Sequence, residues 1–300
     1  AELKKATSHK PQATSSFLAK LDKIEDKKAE IKNKEQAQNF IADIKDETFI
    51  VSGIKKTEKK RLPSAPFITS TLQQEGFNKL KFSAQKTMIV AQQLYEGIDI
   101  AGTNPVGLIT YMRTDSTHVS AEAIKEVRNL ITKNFGGDYL PKTPNVYKVK
   151  KYAQEAHEAI RPTLIRRSPE SLREFLTSDQ YKLYEIIYKR FVASQMAPAR
   201  YLVTTVNIKV AKFLFVVSGT TTIFDGFTVI YNKDNEDEAK KALPPLEKDE
   251  VLDLIKLIPS QHFTKPPPRY SDGSLVKALE EEGIGRPSTY APIILTLVLR

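Results

Sequence analysis

Gly107-Leu-Ile-Thr-Tyr-Met-Arg-Thr-Asp-Ser116 is the stretch on which the reading of this chain turns. Leu108 and Ile109 form a short apolar run that stops just before Tyr111, which sets the phenol at the edge of a core. Arg113 follows two residues later, and Thr110, Thr114, Asp115 and Ser116 bracket the pair. A tyrosine that attacks phosphorus needs such neighbours. A free phenol ionises near pH ~10, so its nucleophilic form must be favoured by nearby positive charge. Charge gathering on phosphate oxygens is met by the planar, always-ionised fork of an arginine. Tyr-x-Arg alone is better read as a half-buried structural tyrosine beside a surface arginine.

The longer string narrows the choice. Gly107 to Thr117 resembles the nucleophile motif of bacterial DNA topoisomerase I, a type IA enzyme. Further blocks resemble the same family in the same order: Pro63-Ser-Ala-Pro-Phe-Ile-Thr-Ser-Thr-Leu-Gln-Gln74, Thr87-Met-Ile-Val-Ala-Gln-Gln-Leu-Tyr-Glu-Gly97 and Ala153-Gln-Glu-Ala-His-Glu-Ala-Ile-Arg-Pro-Thr163. Pro266-Pro-Pro-Arg-Tyr-Ser-Asp-Gly-Ser-Leu-Val-Lys-Ala-Leu-Glu280 leads to the last, Gly283-Ile-Gly-Arg-Pro-Ser-Thr-Tyr290. The similarity runs from about Phe17 to the end. Met112, after the tyrosine, favours topoisomerase I over topoisomerase III and reverse gyrase.

Composition bounds the rest. Three hundred residues exceed one ordinary core and imply two or three domains. Cysteine is absent, which excludes disulfides and cysteine-ligated zinc from this chain and suits a reducing cytoplasm. The zinc ribbons that topoisomerase I proteins often carry are therefore not in this sequence. No run approaches the roughly 18 apolar residues of a membrane span, and no secretory signal opens the chain. A net charge of +10 and a pI near 9.4 suit a polyanionic partner, although a solvated lysine-rich surface gives the same figures. The acidic run Asp234 to Glu238 reads as a solvated loop.

Periodicity places the blocks. Phe17 to Ile24 alternates as a strand, Lys34 to Lys45 is a helix capped by Asn33, and Thr48 to Lys60 is again strand-like. From Thr69 to Ala197 the pattern is helical with interruptions. Ser83 and Ser120 are caps, Ser168-Pro169 opens a helix with Leu172, Phe175 and Leu176 on its face, and Tyr184, Ile187, Tyr188 and Phe191 are core. Leu202 to Ile208, Phe213 to Val217 and Phe227 to Tyr231 read as strands, with Gly219 and Gly226 at turns. Strands on both sides of a helical block suggest an insertion in a discontinuous β domain.

The resemblance implies the same: a mixed α and β, multidomain type IA core. Residues 1–68 and 198–262 would form the β arch, domain II. Residues 69–197 would form the inserted helical domain III that carries the tyrosine. Residues 263–300 would begin the helical DNA-binding domain IV. The chain lacks an initiator Met and stops at Arg300 inside an apolar helical pattern, so it is expected to be a piece of a longer protein.

On the resemblance, Tyr111, Arg113 and His157 are the catalytic residues. Arg113, Arg161, Arg269, Arg286, Ser288 and Thr289 would contact DNA. If Glu155 to Arg161 is helical, His157 and Arg161 share a face one turn apart. Ser288 or Thr289 would cap the next helix and leave its N–H groups facing a phosphate. Glu158 is expected to orient a neighbour. A lone histidine or a surface arginine is otherwise an ordinary structural residue. The family holds magnesium on a Glu and an Asp-x-Asp-x-Asp cluster in an N-terminal Toprim domain, and nothing in this sequence matches them. The chain by itself is therefore expected to bind no metal and to cleave little or nothing. No Gly-x-x-x-x-Gly-Lys-Ser/Thr loop is present, so ATP is not implied. The expected partners are single-stranded and negatively supercoiled DNA and the Toprim domain in cis, for a monomer in the bacterial cytoplasm with no membrane partner. A non-catalytic DNA-binding module remains the alternative. A tyrosine recombinase would place its tyrosine last among its catalytic residues, whereas Tyr111 comes first.

Overall fold

The computed structural model describes residues 1–5, 16–100, 102, 104–148, 157–231 and 242–299. The acidic run Asp234 to Glu238, the start of the histidine block (Ala153 to Ala156) and Arg300 lie outside the described residues. The chain divides into two compact units, one spanning Ala1–Arg61, Ala199–Asp225 and Asp234–Pro266, the other Leu62–Pro198, Gly226–Lys233 and Pro267–Arg300.

The first unit is an antiparallel sheet. Its strands are β1 (Glu2–Lys5), β2 (Phe17–Leu18), β3 (Lys20–Ile24), β4 (Lys27–Lys28), β5 (Phe49–Arg61), β6 (Ala199–Val210), β7 (Phe213–Phe224) and β8 (Val251–Lys256), in the order β2-β1-β8-β5-β6-β7-β3-β4. Alternation does the sorting: Val206, Ile208 and Val210 of β6, with Phe213, Phe215 and Val217 of β7, point to one buried face. Helix α1 (Lys34–Ile44) starts at Asn33, whose side chain accepts from the Gln36 N–H at 2.8 Å. Its Phe40 meets Phe213 edge-on, ring centroids 5.4 Å apart.

Two expectations fail here. Gly219 is not at a turn; it lies inside β7, opposite Thr204. The turn falls instead between β6 and β7, where Ala211 takes the left-handed conformation (φ 45°). Phe227 to Tyr231 is no strand either, and forms a short 3-10 turn, Gly226–Tyr231. Gly226, at φ 48°, turns the chain so closely past Pro198 that a Cβ there would sit 2.5 Å from the Pro198 oxygen, and the Phe227 N–H donates to Ala197.

The second unit is helical: α2 (Thr69–Leu80), α3 (Ala84–Glu96), α4 (Ala121–Phe135), α5 (Ser178–Ser194), α6 (Asp272–Glu281) and α7 (Tyr290–Leu299). Ser83 and Ser120 cap α3 and α4 as expected. Helix α5 is the buried centre, with Leu183, Tyr184, Ile187 and Val192 fully enclosed. Each such side chain contributes roughly 1.5–3 kcal/mol by leaving water. The helix expected after Ser168-Pro169 is only a 3-10 turn, Glu170–Leu172, and Phe175 stays 37% exposed. A stronger start signal follows at once. Thr177 and Gln180 form a reciprocal capping box that begins α5. Helix α6 opens on Ser271 in the same way and packs on α2 and α7.

Candidate active site

Three separated stretches of the helical unit converge on Tyr111. The first is the tyrosine segment itself. Leu108, Ile109 and Met112 are fully buried and anchor it, while Tyr111 is half-buried and Arg113 exposed between them. Thr69, at the start of α2, fixes the far side: its hydroxyl donates to the Met112 oxygen at 2.7 Å, and its N–H donates to the Thr114 oxygen at 2.9 Å.

The second stretch is the described part of the histidine block, and it is not helical. Residues 157–163 run extended, with isolated bridges pairing Ile160 with Phe67 and Pro162 with Ile109. Proline at position 162 would in any case disfavour helical backbone at Arg161. His157 and Arg161 therefore do not share a helical face. The Thr110 hydroxyl staples the two segments together, donating to the Ala159 oxygen at 2.6 Å and accepting from the Arg161 N–H at 3.0 Å. This register brings His157 over Tyr111, ring centroids 5.0 Å apart at 54°.

Arg161, expected either to contact a phosphate or to support the residues that do, has partners of its own within the block. Its guanidinium pairs with Glu158, with Nε 2.9 Å from the carboxylate and Nη2 in closer contact, and Nη1 donates to the Pro162 oxygen at 2.9 Å. Glu158 in turn accepts from the Ser120 N–H at the start of α4, at 2.8 Å. The pair is a strut between the histidine block and α4.

The third stretch, the end of α3, supplies a ring that the sequence did not single out. Tyr95 sits edge-on to Tyr111, centroids 5.4 Å apart at 65°, where the backbone of the tyrosine segment comes very close. The Leu108 N–H donates to the Leu94 oxygen at 2.7 Å, and a Cβ on Gly107 would lie 2.7 Å from the Tyr95 oxygen. A glycine ten residues before Thr117, following a helix end, was the signal available for this contact. Tyr95 shares the helical spacing of the buried Ala91 and Leu94, yet it is 40% exposed.

The last block meets the site from α7. Arg113 and Ser288 line one open cleft of about 510 Å³ between α3 and α7. Arg286 folds back on its own loop instead, Nη1 donating to the Gly285 oxygen at 2.7 Å, where Gly283 and Gly285 both need positive φ. The Thr289 hydroxyl accepts from the Arg286 N–H at 2.8 Å. Tyr290 is buried, and burial raises its pKa above 10, helped by Glu280 and Asp115 and opposed by Arg286. Glu280 also accepts from the Ser70 hydroxyl at 2.7 Å, tying α6 to α2. Arg269 lies on an exposed extended run before α6 and is not part of the cleft wall. Among the described residues, no three His, Cys, Asp or Glu side chains gather as metal ligands. No helix among the described residues is long and apolar enough to cross a membrane.

Comparison with known proteins accounts for this convergence. A family model described as DNA topoisomerase matches residues 3–300. The chain belongs to the DNA topoisomerase family. Among its topoisomerase relatives, DNA topoisomerase 1 of Rickettsia felis is 51% identical over 290 residues, covering 94% of this chain and 37% of the relative. DNA topoisomerase 1 of Xylella fastidiosa (strain Temecula1) is 46% identical over 299 residues, covering 95% of this chain and 37% of the relative. The full-length topoisomerase I structure from Thermotoga maritima superposes with a TM-score of 0.77 at 38% identity, over 99% of this chain and 46% of that one. The chain thus spans less than half the length of each of these topoisomerases. The resemblance read from its tyrosine, histidine and Gly-Arg blocks is borne out, as is the mixed α and β core.

Proposed function

We propose that this chain is the tyrosine-bearing portion of an ATP-independent type IA topoisomerase, which relaxes negatively supercoiled DNA through a transient single-strand break. The observation that supports it most is the Tyr111–His157 pairing, two rings from separate blocks brought to 5.0 Å beside an exposed Arg113. In this reading the Tyr111 Oη attacks a backbone phosphorus. A P–Oη bond forms, the P–O3′ bond breaks, and a 5′-phosphotyrosyl link and a free 3′-hydroxyl result. The link conserves the phosphodiester, so the returning hydroxyl reseals the strand without a nucleotide cofactor. Arg113 stabilises charge on the phosphate oxygens, worth on the order of 100-fold in rate for a preorganised donor. His157 exchanges a proton at the phenol or the leaving hydroxyl. Ser288 and Arg286 contact the strand near α7, Thr289 holds the Arg286 loop and Arg161 positions the histidine block. Arg269 remains a candidate DNA contact on the exposed approach to α6.

The domain division belongs to the same proposal: a β arch acting as hinge, a helical tyrosine domain, and the start of domain IV near Lys265. Magnesium would be held by a Toprim domain in the same polypeptide, supplying charge at the phosphate; none of the steps above runs through it. The protein would act as a cytoplasmic monomer. The test mixes this chain with single-stranded DNA and magnesium, alone and with the remaining portion of a full-length relative supplied in trans. A 5′-phosphotyrosyl adduct is expected only in the mixture, and Tyr111→Phe removes it. An adduct that persists with Tyr111→Phe defeats the reading, and no adduct in either arm favours the non-catalytic DNA-binding module.

A further inference from the structure

The last turn of α3 is held against the tyrosine segment by backbone alone. The Leu108 N–H donates to the Leu94 oxygen at 2.7 Å, and Ile98 and Val106 exchange N–H···O bonds of 3.0 Å each. Gly107 lies so near that a Cβ there would stand 2.7 Å from the Tyr95 oxygen. The ring of Tyr95 is therefore carried on a fixed frame beside Tyr111. Its burial departs from that of its helical neighbours: Ala91 and Leu94 are fully enclosed, whereas Tyr95 is 40% exposed. Core packing does not account for a large aromatic side chain at such a position. Its contact with the Tyr111 ring does, edge-on at 5.4 Å and 65°.

Tyr111 needs a contact of this kind. It is half-buried in an irregular stretch, outside any helix or strand. Pinning the backbone still leaves a side chain three staggered χ1 wells. Attack on phosphorus uses one direction of the hydroxyl, so time spent in the other wells is lost to the reaction. The His157 ring bounds Tyr111 at 5.0 Å and the Tyr95 ring at 5.4 Å. An edge-to-face pair favours its own geometry by about twofold to tenfold over the unpaired one.

We propose that Tyr95 is a positioning residue for the nucleophile: its ring confines Tyr111 to one rotamer, so the hydroxyl is aimed before a strand arrives. The role rests on the reading of Tyr111 as nucleophile given above. It requires the ring of Tyr95 and not its hydroxyl, and Tyr95 takes no part in the chemistry. It also acts on the rate of cleavage and not on strand affinity, since Tyr95 is not among the residues proposed to contact DNA.

Two measurements test it. The first uses this chain alone, labelled with carbon-13 and nitrogen-15 at tyrosine. Three-bond couplings from the Tyr111 Cγ to its backbone nitrogen and carbonyl carbon give the χ1 populations. The parent and Tyr95→Phe should show a single rotamer, and in Tyr95→Ala its share should fall to about a third to a half. The second uses the mixture with the remaining portion of a full-length relative, under single-turnover conditions with saturating single-stranded DNA. Tyr95→Ala should cleave about threefold to tenfold more slowly with the strand Kd unchanged, and Tyr95→Phe should restore the parent rate. Tyr95→Leu, which keeps bulk on α3 without a ring, should lie between them and serves if the alanine variant misfolds by circular dichroism. A single Tyr111 rotamer in Tyr95→Ala, a Tyr95→Phe variant as slow as the alanine one, or a loss that appears in Kd alone would each overturn the proposal. Averaged rotamers with an unchanged cleavage rate would overturn it too. An adduct from the parent mixture with an unmoved rotamer would sink the positioning role and leave the enzyme reading intact; no adduct from the parent mixture would sink that reading first.

Discussion

Gly107→Ala should cost more than any glycine-to-alanine change on an open surface, because the added methyl has nowhere to go. The new Cβ would stand 2.7 Å from the Tyr95 carbonyl oxygen, a backbone atom in the last turn of α3 that cannot swing aside as a side chain would. The tyrosine segment must therefore back away from α3. Two bonds lie within reach of that shift: Leu108 N–H to Leu94 oxygen at 2.7 Å, and Thr163 hydroxyl to Gly107 oxygen at 2.8 Å. Overpacking of this kind costs typically ~1–3 kcal/mol, and each weakened bond adds about 0.5–1.5 kcal/mol. A loss of roughly 2–4 kcal/mol follows for the helical unit. Urea unfolding followed by far-ultraviolet circular dichroism gives the stability, and hydrogen exchange at the Leu108 amide reports the contact itself. The same retreat should separate Tyr95 from Tyr111 and cut adduct formation in the complemented enzyme. An alanine variant within 0.5 kcal/mol of the parent, with Leu108 still protected, would show that the close approach of α3 is not what seats the tyrosine.

Thr110→Val removes the hydroxyl that serves both Ala159 and Arg161. It should destabilise by about 2 kcal/mol and lower adduct yield without weakening DNA binding, as a two-strand binding and cleavage assay would show. Glu158→Ala leaves a mostly buried guanidinium unpaired, the Arg161 side chain being 12% exposed, and should cost about 2–3 kcal/mol in urea unfolding. Ser83→Ala should remove about 1 kcal/mol through the lost α3 cap, with Lys86 amide exchange accelerating first. Burial raises the Tyr188 pKa to about 12 and raises that of Tyr184 further. A raised folded-state value means the unfolded chain loses the proton first. Stability is then full below pH ~10 and falls by up to about 1.4 kcal/mol per pH unit for each such tyrosine as pH climbs towards 12. Tyr147 is likewise raised by burial, so absorbance titration of phenolate at 295 nm should show at least three late, unfolding-linked tyrosines, and a simple titration of all of them near pH ~10 would contradict the burial.

What the sequence disclosed depended on range. Helices with local start signals could be read directly: Asn33, Ser83 and Ser120 each cap the helix that follows, by bonds closed within three residues. Where two local signals competed, the reading failed. Ser168-Pro169 resembles a helix start, but the Thr177–Gln180 box nine residues on is reciprocal and wins. The strand reading of Phe227 to Tyr231 failed for a non-local reason, the wedging of Gly226 against Ala197 and Pro198, which no pattern in those residues encodes. Gly219 misled because a glycine inside a paired strand looks the same in sequence as one at a turn.

The site shows the same limit and explains it. Tyr111, Arg113 and His157 stood out through their family blocks, since each is embedded in a long distinctive string. Their geometry did not, because it is written in contacts between blocks: Thr110 to Ala159, Thr69 to Met112, Leu94 to Leu108. Each of these bonds joins the tyrosine segment to a different neighbour, and none joins two of the reactive side chains to each other. Such an arrangement has a chemical use. A phenol held by a direct hydrogen bond to histidine or arginine would have to break it to reach a phosphate. A phenol whose backbone is pinned on three sides, with ring contacts at 5.4 Å and 5.0 Å on either side, keeps its oxygen available while its direction is fixed. On the proposed function, the Glu158–Arg161 strut fits that division of labour: the arginine of the histidine block would hold position and leave Arg113, exposed on the cleft, to meet the charge.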